Sequence, residues 1–316
     1  MTTKIADFEV GKVCTGFYLI KWKDQKMSST GKPFIDYTFT DISGSVNGKH
    51  WSPLTDSDFG YEIGDVVKVQ AEVTEFNGSL QAKVQKIRRV EERDEIDIGS
   101  IVPSAPFPPQ EMFDEIYGQI LKIKDVEIRA VVQALVDENR EKLMYYPAAK
   151  ANHHSIRSGL LYHMLRMLRA GLALCGVYDS ANPDLVCAGV VLHDLEKIRE
   201  MEATEMGVVD SYTLEGNMLG HIIMGIKSIS RVSERLGVTK EKSLILEHLV
   251  LSHHYYPEFG SPKKPMLIEG EILHHVDILD ATIYDMELAL KNTEYGELSQ
   301  GIPTLEKRRI YKAELE

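Results

Sequence analysis

Residues 182 to 197 read NPDLVCAGVVLHDLEK. Asn182 is a natural N-cap and Pro183 suits the first helical turn, so the segment opens a helix. Along it Leu185, Ala188, Gly189, Leu192 and His193 recur at the spacing of one helical face. That turns His193 inward, with Asp194 beside it and Lys197 one turn further on. On the preceding helix Leu160, His163, Met164, Met167, Leu168 and Gly171 share a face, and a later helix groups Met218, His221, Ile222, Gly225, Ile226 and Ile229. His163 and His221 are therefore expected to point inward too.

Eight of the eleven histidines fall between residues 153 and 254, including the adjacent pair His253-His254. A lone inward histidine is more often a hydrogen-bonded core residue than a ligand. Three on separate helices, with a histidine pair and an aspartate, point instead to a cation. Without one, a buried Asp194 would carry an unpaired charge costing on the order of several kcal/mol. Mixed His and Asp donors without Cys suit Mn, Fe, Zn, Co or Mg at a catalytic site and do not resemble a structural zinc cage.

Around this segment the 3.6-residue periodicity runs from about residue 111 to the end, which predicts an all-α domain over 111–316. Residues 91–110, EERDEIDIGSIVPSAPFPPQ, are a charge run followed by four prolines and read as a linker. Residues 1–90 read as strands. Val66 to Val73 alternates with Lys68, Gln70 and Glu72, Asn77-Gly78 marks a tight hairpin, and Leu80, Ala82 and Val84 alternate with polar residues. Phe34 to Thr40 places Ile35, Tyr37 and Phe39 on one face and Phe34, Asp36 and Thr38 on the other, before a turn at Asp41 to Gly44. Short strands at this spacing suggest a small closed barrel, so the fold class is multidomain: an N-terminal all-β barrel followed by an all-α domain.

Composition bounds what such a chain does. Its 316 residues are 43% apolar and 27% charged, as in a globular protein. No apolar run is long enough to span a bilayer and the N-terminus has no signal-peptide layout, so no membrane partner and a cytoplasmic location are expected. Cys14, Cys175 and Cys187 have neither metal-site nor redox spacing and are read as small core residues. The net charge of -12 argues against a general nucleic-acid coat. It is uneven, however: residues 1–90 hold 12 Lys and Arg against 11 Asp and Glu, leaving 24 against 37 for the remainder. An acidic domain handles phosphates if metal ions supply the positive charge.

Two resemblances sharpen these expectations. GKPFIDYTFTDISGSVNGKHW, residues 31–51, resembles the central strands of nucleic-acid-binding OB folds, where one strand ends in Asp-x-(Ser/Thr)-Gly. His163, then His193-Asp194, then Asp277 resembles the H...HD...D signature of the HD superfamily, with His221 and His253-His254 matching its members that hold two or more metals. This implies that His163, His193 and Asp277 bind one ion, His221 and His253 a second, that Asp194 bridges them, and that His254 is a further ligand or a phosphate contact. Asp280 competes with Asp277 for the last position. His274 and His275 are read as surface or supporting residues, and His248 as core. Where many members read His-Asp-Ile-Gly-Lys, this chain has His193-Asp194-Leu195-Glu196-Lys197, and a glutamate beside the metals would repel phosphate unless it faces away.

The order barrel, linker, HD domain, with NHHSIRSGLLYH, VLHDLEK, TLEGNMLGHI and LSHHYYPEFGSP, resembles the YhaM-type 3′-to-5′ exoribonucleases over nearly the whole chain. The resemblance implies metal-dependent removal of nucleoside monophosphates from the 3′ end of single-stranded RNA, with single-stranded DNA as a further substrate and a homo-oligomer as the assembly. Two divalent ions, Mn first and Fe, Co, Zn or Mg as alternatives, activate water and stabilise the leaving oxygen of an in-line displacement. Asp194 and Lys197 are the expected catalytic residues, Lys197 neutralising a phosphate oxygen or else remaining a solvated lysine. His153 and His154 contact phosphate or cap the helix. On the barrel, Phe34 and then Trp51 beside Lys49 are the stacking candidates, with Lys83, Lys86, Arg88 and Arg89 supplying charge; core rings and a solvated strand end are the alternatives. A second reading keeps the HD chemistry but acts on free nucleotides or cyclic dinucleotides, with a regulatory OB domain. A third is a catalytically dead RNA adaptor.

Overall fold

The computed structural model describes residues 2–51, 54–55, 59–91, 93–94, 96–150, 154–291 and 293–315. The chain divides into two compact units, residues 1–104 and 105–316.

In the first unit, strands β1 (Val13–Met27), β2 (Pro33–Asp41), β3 (Gly44–Trp51), β4 (Val66–Phe76) and β5 (Ser79–Arg89) close into a barrel in the order β1-β2-β3-β5-β4. This is the OB-fold architecture. β1 is long enough to serve two neighbours: Val13–Leu19 pairs with β4 and Leu19–Met27 with β2, across an irregularity between Ile20 and Trp22. The inward set expected from alternation fills the barrel, with Ile35, Tyr37 and Phe39 at most 1% exposed. Asn77 and Gly78 turn β4 into β5 with φ of 51° and 77°, the left-handed pair that a two-residue hairpin requires. The Asp-x-Ser-Gly turn has a local cause. Asp41 Oδ1 accepts from Ser43 N at 2.7 Å and Gly44 N at 3.2 Å, while its Oδ2 accepts from Ile5 N at 2.8 Å, tying the N-terminus to the β2–β3 corner.

The stretch read as a linker is divided between the units at 104/105. Its acidic part is anchored to the barrel: Asp94 accepts two hydrogen bonds from Arg88, at 2.6 and 2.8 Å, and one from Lys68 at 3.1 Å. Ile101 and Val102 are buried beyond it.

The second unit holds helices α1 (Pro109–Ile120), α2 (Val126–Leu143), α3 (Gly159–Cys175), α4 (Pro183–Leu192), α5 (Lys197–Glu200), α6 (Leu214–Leu236), α7 (Lys240–Ser252) and α8 (Ile268–Lys291). It is not wholly helical, because β6 (Met201–Ala203) and β7 (Val209–Tyr212) form a small hairpin between α5 and α6. As expected, Asn182 caps α4, its side chain accepting from Asp184 N, with Pro183 in the first turn. α4 is not amphipathic, however: every residue from Val186 to Leu192 is buried, as in a helix packed on all sides, here by α3, α7, α8 and α2. α6 also departs from the expected stripe. Gly220 breaks it with φ 69° and ψ 161°, so Met218 does not share a face with His221 and is 74% exposed. Among the described residues no helix is long and apolar enough to cross a membrane.

Candidate metal centre

His193 and His253 occupy equivalent positions, each the C-cap of its helix, α4 and α7. A helix end leaves carbonyls without helical partners, and each ring supplies one. His193 Nδ1 donates to Val190 O at 2.8 Å and His253 Nδ1 to Val250 O at 2.7 Å. A carbonyl only accepts, so the proton sits on Nδ1 and the Nε2 lone pair faces the interior.

The same polarity holds for the other imidazoles. His163, from α3, donates Nδ1–H to Asp280 Oδ2 at 2.8 Å. His221, just past the Gly220 break, faces Glu200 Oε1 through both its backbone N, at 3.0 Å, and Nδ1, at 3.1 Å. His254 donates from Nδ1 to Phe259 O at 2.6 Å. Rings fixed through Nδ1 with Nε2 converging are the arrangement that orients metal-binding histidines.

Asp194 stands at the point of convergence, in the turn between α4 and α5. Its Oδ2 lies 3.4 Å from His193 Nε2 and 3.9 Å from His163 Nε2, and its Oδ1 lies 3.3 Å from His221 Nε2 and 3.9 Å from His253 Nε2. Asp277 Oδ1, from α8, is 3.3 Å from His163 Nε2. Two neighbouring donor sets result, His163, His193 and Asp277, and Asp194, His221, His253 and His254, each with its ligand atoms within 4.8 Å of one another. The buried Nε2 atoms of His193, His221 and His253 and Oδ1 of Asp194 have no hydrogen-bond partner. Several unsatisfied buried polar atoms around one point are costly to the apoprotein and fit a divalent cation, which every one of them can ligate.

Electrostatics agrees. Burial alone would raise the Asp194 carboxyl, but the Lys197 ammonium, with Nζ at 2.7 Å, outweighs it and holds Asp194 well below the usual carboxylate range. Burial pushes His253 down and keeps its ring neutral. His163 is the exception: burial lowers it, but hydrogen bonds to Asp277 and Asp280 prevail and push it up to about 9.

Asp280 is not a converging donor. Its carboxylate accepts from His163 Nδ1, from His154 Nε2 at 2.8 Å and from Arg166 Nε, so it positions His163 from behind while Asp277 faces the cluster. His154 is fully buried in that support and does not cap α3, whereas His153 lies outside the described residues. His274 is buried and supports the loop after α7, donating to His253 O at 2.8 Å, while His248 Nε2 accepts from Met266 N at 2.9 Å. His275 is exposed. Glu196 turns away from the cluster toward Arg199, Nη1 at 3.4 Å, which removes the expected repulsion of phosphate. Lys197 is not a solvated lysine: its side chain is 13% exposed and lines a cleft of about 510 Å³ together with Asp194, His221, His254 and Asp277. Glu200, which also lines the cleft and steadies His221, escaped the sequence reading. The kink that brings them together is visible only as a glycine in a helical pattern.

On the barrel, the ranking of rings reverses. Phe34 and Trp51 are cross-strand partners whose rings stack at 4.4 Å, which leaves Phe34 6% exposed and Trp51 38% exposed. Trp51 is thus the available face, and Phe34 its support, with Lys49 Nζ 5.1 Å from the Phe34 ring. Arg88 is committed to Asp94, whereas Lys83 and Lys86 are exposed. Trp22, just past the irregularity in β1, is a further exposed ring, 40% exposed with Lys26 Nζ 4.9 Å from it.

A helical domain with this cluster, following an OB barrel in the chain, defines a metal-dependent hydrolase of the HD class, and the HD domain model matches residues 160–282. The chain belongs to the family of the 3′-5′ exoribonuclease YhaM of Bacillus subtilis (strain 168), with which it is 40% identical over 304 residues, 96% of each chain. Two solved structures are similar over part of its length. The second OB-fold domain of replication protein A from Methanococcus maripaludis is 23% identical and covers 30% of this chain and 100% of its own, with a TM-score of 0.25. A domain of replication protein A from the same organism is 26% identical, with 29% and 97% covered and a TM-score of 0.26.

Proposed function

We propose that the protein is a metal-dependent 3′-5′ exoribonuclease of the cytoplasm that releases nucleoside monophosphates from single-stranded RNA and also accepts single-stranded DNA. The observation that carries the reading is the placement of Asp194, one oxygen facing His163 and His193 and the other facing His221 and His253. That placement favours two ions: His163, His193 and Asp277 would hold one and His221, His253 and His254 the other, with Asp194 facing both sets. Mn is the proposed metal, the all-His and carboxylate donor set being compatible also with Fe, Co, Zn or Mg.

When bound, such ions supply Lewis-acid activation of water and neutralise charge on the phosphate. The protein's own part is positional. Asp280 and Glu200 lock the rings of His163 and His221, the two helix C-caps lock His193 and His253, and Lys197 sets an ammonium in the cleft where a phosphate oxygen enters. On the barrel, Trp51 and Lys49, with Lys83 and Lys86, are the proposed strand contacts. A 5′-labelled single-stranded RNA with Mn²⁺, run beside a metal-free sample and Asp194→Ala, tests the reading. A ladder shortening from the 3′ end only with metal and intact Asp194 supports it. RNA left intact while free nucleotides or cyclic dinucleotides are hydrolysed overturns it.

A further inference from the structure

The cleft beside the metal cluster is two-sided in its chemistry. One side carries the charged groups Asp194, Asp277 and Lys197, and the other carries exposed rings: Tyr212 at 44%, Tyr256 at 47% and Phe259 at 66%. What sets these three apart from exposed rings elsewhere is that they line one cleft together with the metal cluster. A ligand that fits both parts carries an anion at one end and a flat apolar ring at the other. The cleft's volume of about 510 Å³ lies in the ordinary range for small-ligand sites, about 300 to 1,000 Å³.

Tyr256 and Phe259 form a corner, their ring centroids 6.2 Å apart and their planes at 85°. The corner is fixed to a cluster histidine rather than free to swing. His254 donates from Nδ1 to Phe259 O at 2.6 Å and from its backbone N to Ser261 Oγ at 3.1 Å, and Ser261 N donates to Tyr256 O at 3.2 Å. The turn closes at Gly260, whose φ of 95° no other residue adopts without strain. A turn whose backbone is held in place before a ligand arrives loses little freedom on binding it. Among the described residues lining the cleft, every carboxylate, imidazole and ammonium belongs to the metal cluster or supports it, as Glu200 supports His221, and there is no Asn, Gln, Arg, Ser or Thr. Stacking without edge contacts is tolerant of sequence, because every base presents a π-face.

We propose that Tyr256 and Phe259 are the seat of the terminal nucleobase, which they hold by stacking against one ring and abutting the other, so that the enzyme requires a base at the 3′ end but does not choose which. The proposal rests on the exoribonuclease reading and adds to it the feature by which the terminal nucleotide is recognised and registered against the cluster.

The test uses the full chain with Mn²⁺ and 5′-labelled single-stranded RNAs that end in each of the four bases or in an abasic ribose. Wild type is compared with Tyr256→Ala, Phe259→Ala and Tyr256→Phe, and bound metal is measured for each, since the loop also carries His254. The expected result is a rise in KM of about tenfold to a hundredfold for each alanine variant, unchanged metal content, near-normal behaviour of Tyr256→Phe, and similar rates for the four bases. Wild type should lose a comparable factor on the abasic end, and the alanine variants should lose little more there. If wild type shortens RNA but removes an abasic terminus equally well, or the alanine variants are impaired by the same factor on both ends, the seat is wrong while the exoribonuclease stands. If wild type leaves every RNA intact, the exoribonuclease reading fails and the seat falls with it.

Discussion

Asp94 in the barrel unit and Asp194 in the helical unit are both shielded carboxylates, with side chains 5% and 3% exposed. Their surroundings differ in one respect. Asp94 is surrounded by donors: Arg88 through two nitrogens, Lys68, and the backbone N of Glu91 at 2.9 Å. Hydrogen bonds from Arg88 and from Glu91 N hold its carboxyl well below the usual range, and the group serves as an anchor for the chain leaving β5. Asp194 has an ammonium on Oδ2, while its Oδ1 has no donor and faces imidazole nitrogens whose protons lie on their far sides. A filled carboxylate closes a structure, whereas one left facing lone pairs is completed only by a cation.

The largest effect should come from exchanging these roles. Asp194→Ala is expected to lower RNA hydrolysis by about a thousandfold or more and to remove bound metal. Asp94→Ala should leave both unchanged while lowering the denaturant midpoint of the barrel. Activity and metal retained in the first variant would break the comparison. Next, Asp280→Asn keeps the shape but weakens the acceptor behind His163, and chelator competition should show a loss of metal affinity of about ten- to a hundredfold with an unchanged circular dichroism spectrum.

The proton on His163 sharpens the point further. A cation must displace it, so metal affinity should rise with pH by about tenfold per unit until about pH 9 and then level off, with protons released on binding. In the metal-free protein the sign reverses. A histidine raised from 6.5 to about 9 stabilises the fold fully below pH 6.5, and that stability is lost as pH rises through 9. Calorimetry in buffers of different ionisation enthalpy checks the first statement and thermal melts of the metal-free protein the second. The smallest effect is expected on the barrel: Trp51→Ala should weaken binding of a long single strand by about fivefold or more without altering hydrolysis of very short ones. Equal losses on both would place Trp51 outside the strand path.

Much of the cluster was legible because its positions are local to helices. Inward His163 and His193, the Asn182 cap, the Asn77-Gly78 turn and the Ile35, Tyr37, Phe39 face follow from period and capping alone. What hydrophobic period does not report is a break in the backbone or the particular side chain that covers a ring or pairs with a charge. The face assigned to Met218 failed because Gly220 interrupts α6, and a glycine in a helical pattern does not announce whether it bends. Phe34 ranked above Trp51 because alternation puts a ring on a face but does not tell what covers it. The direction of Glu196 depended on where Arg199 lies.

The amino-acid sequence by itself determined the two-part architecture and the residue types at the cluster, since hydrophobic period, turn chemistry and the spacing of His and Asp are properties of short segments. Only the tertiary structure decided which aspartate faces the cluster, which supports it from behind, and which imidazole nitrogen is free. Those choices are made by contacts between α3, the α4–α5 turn, α6, α7 and α8, brought together by burial of apolar surface that carries no instruction about where a proton or a lone pair will point.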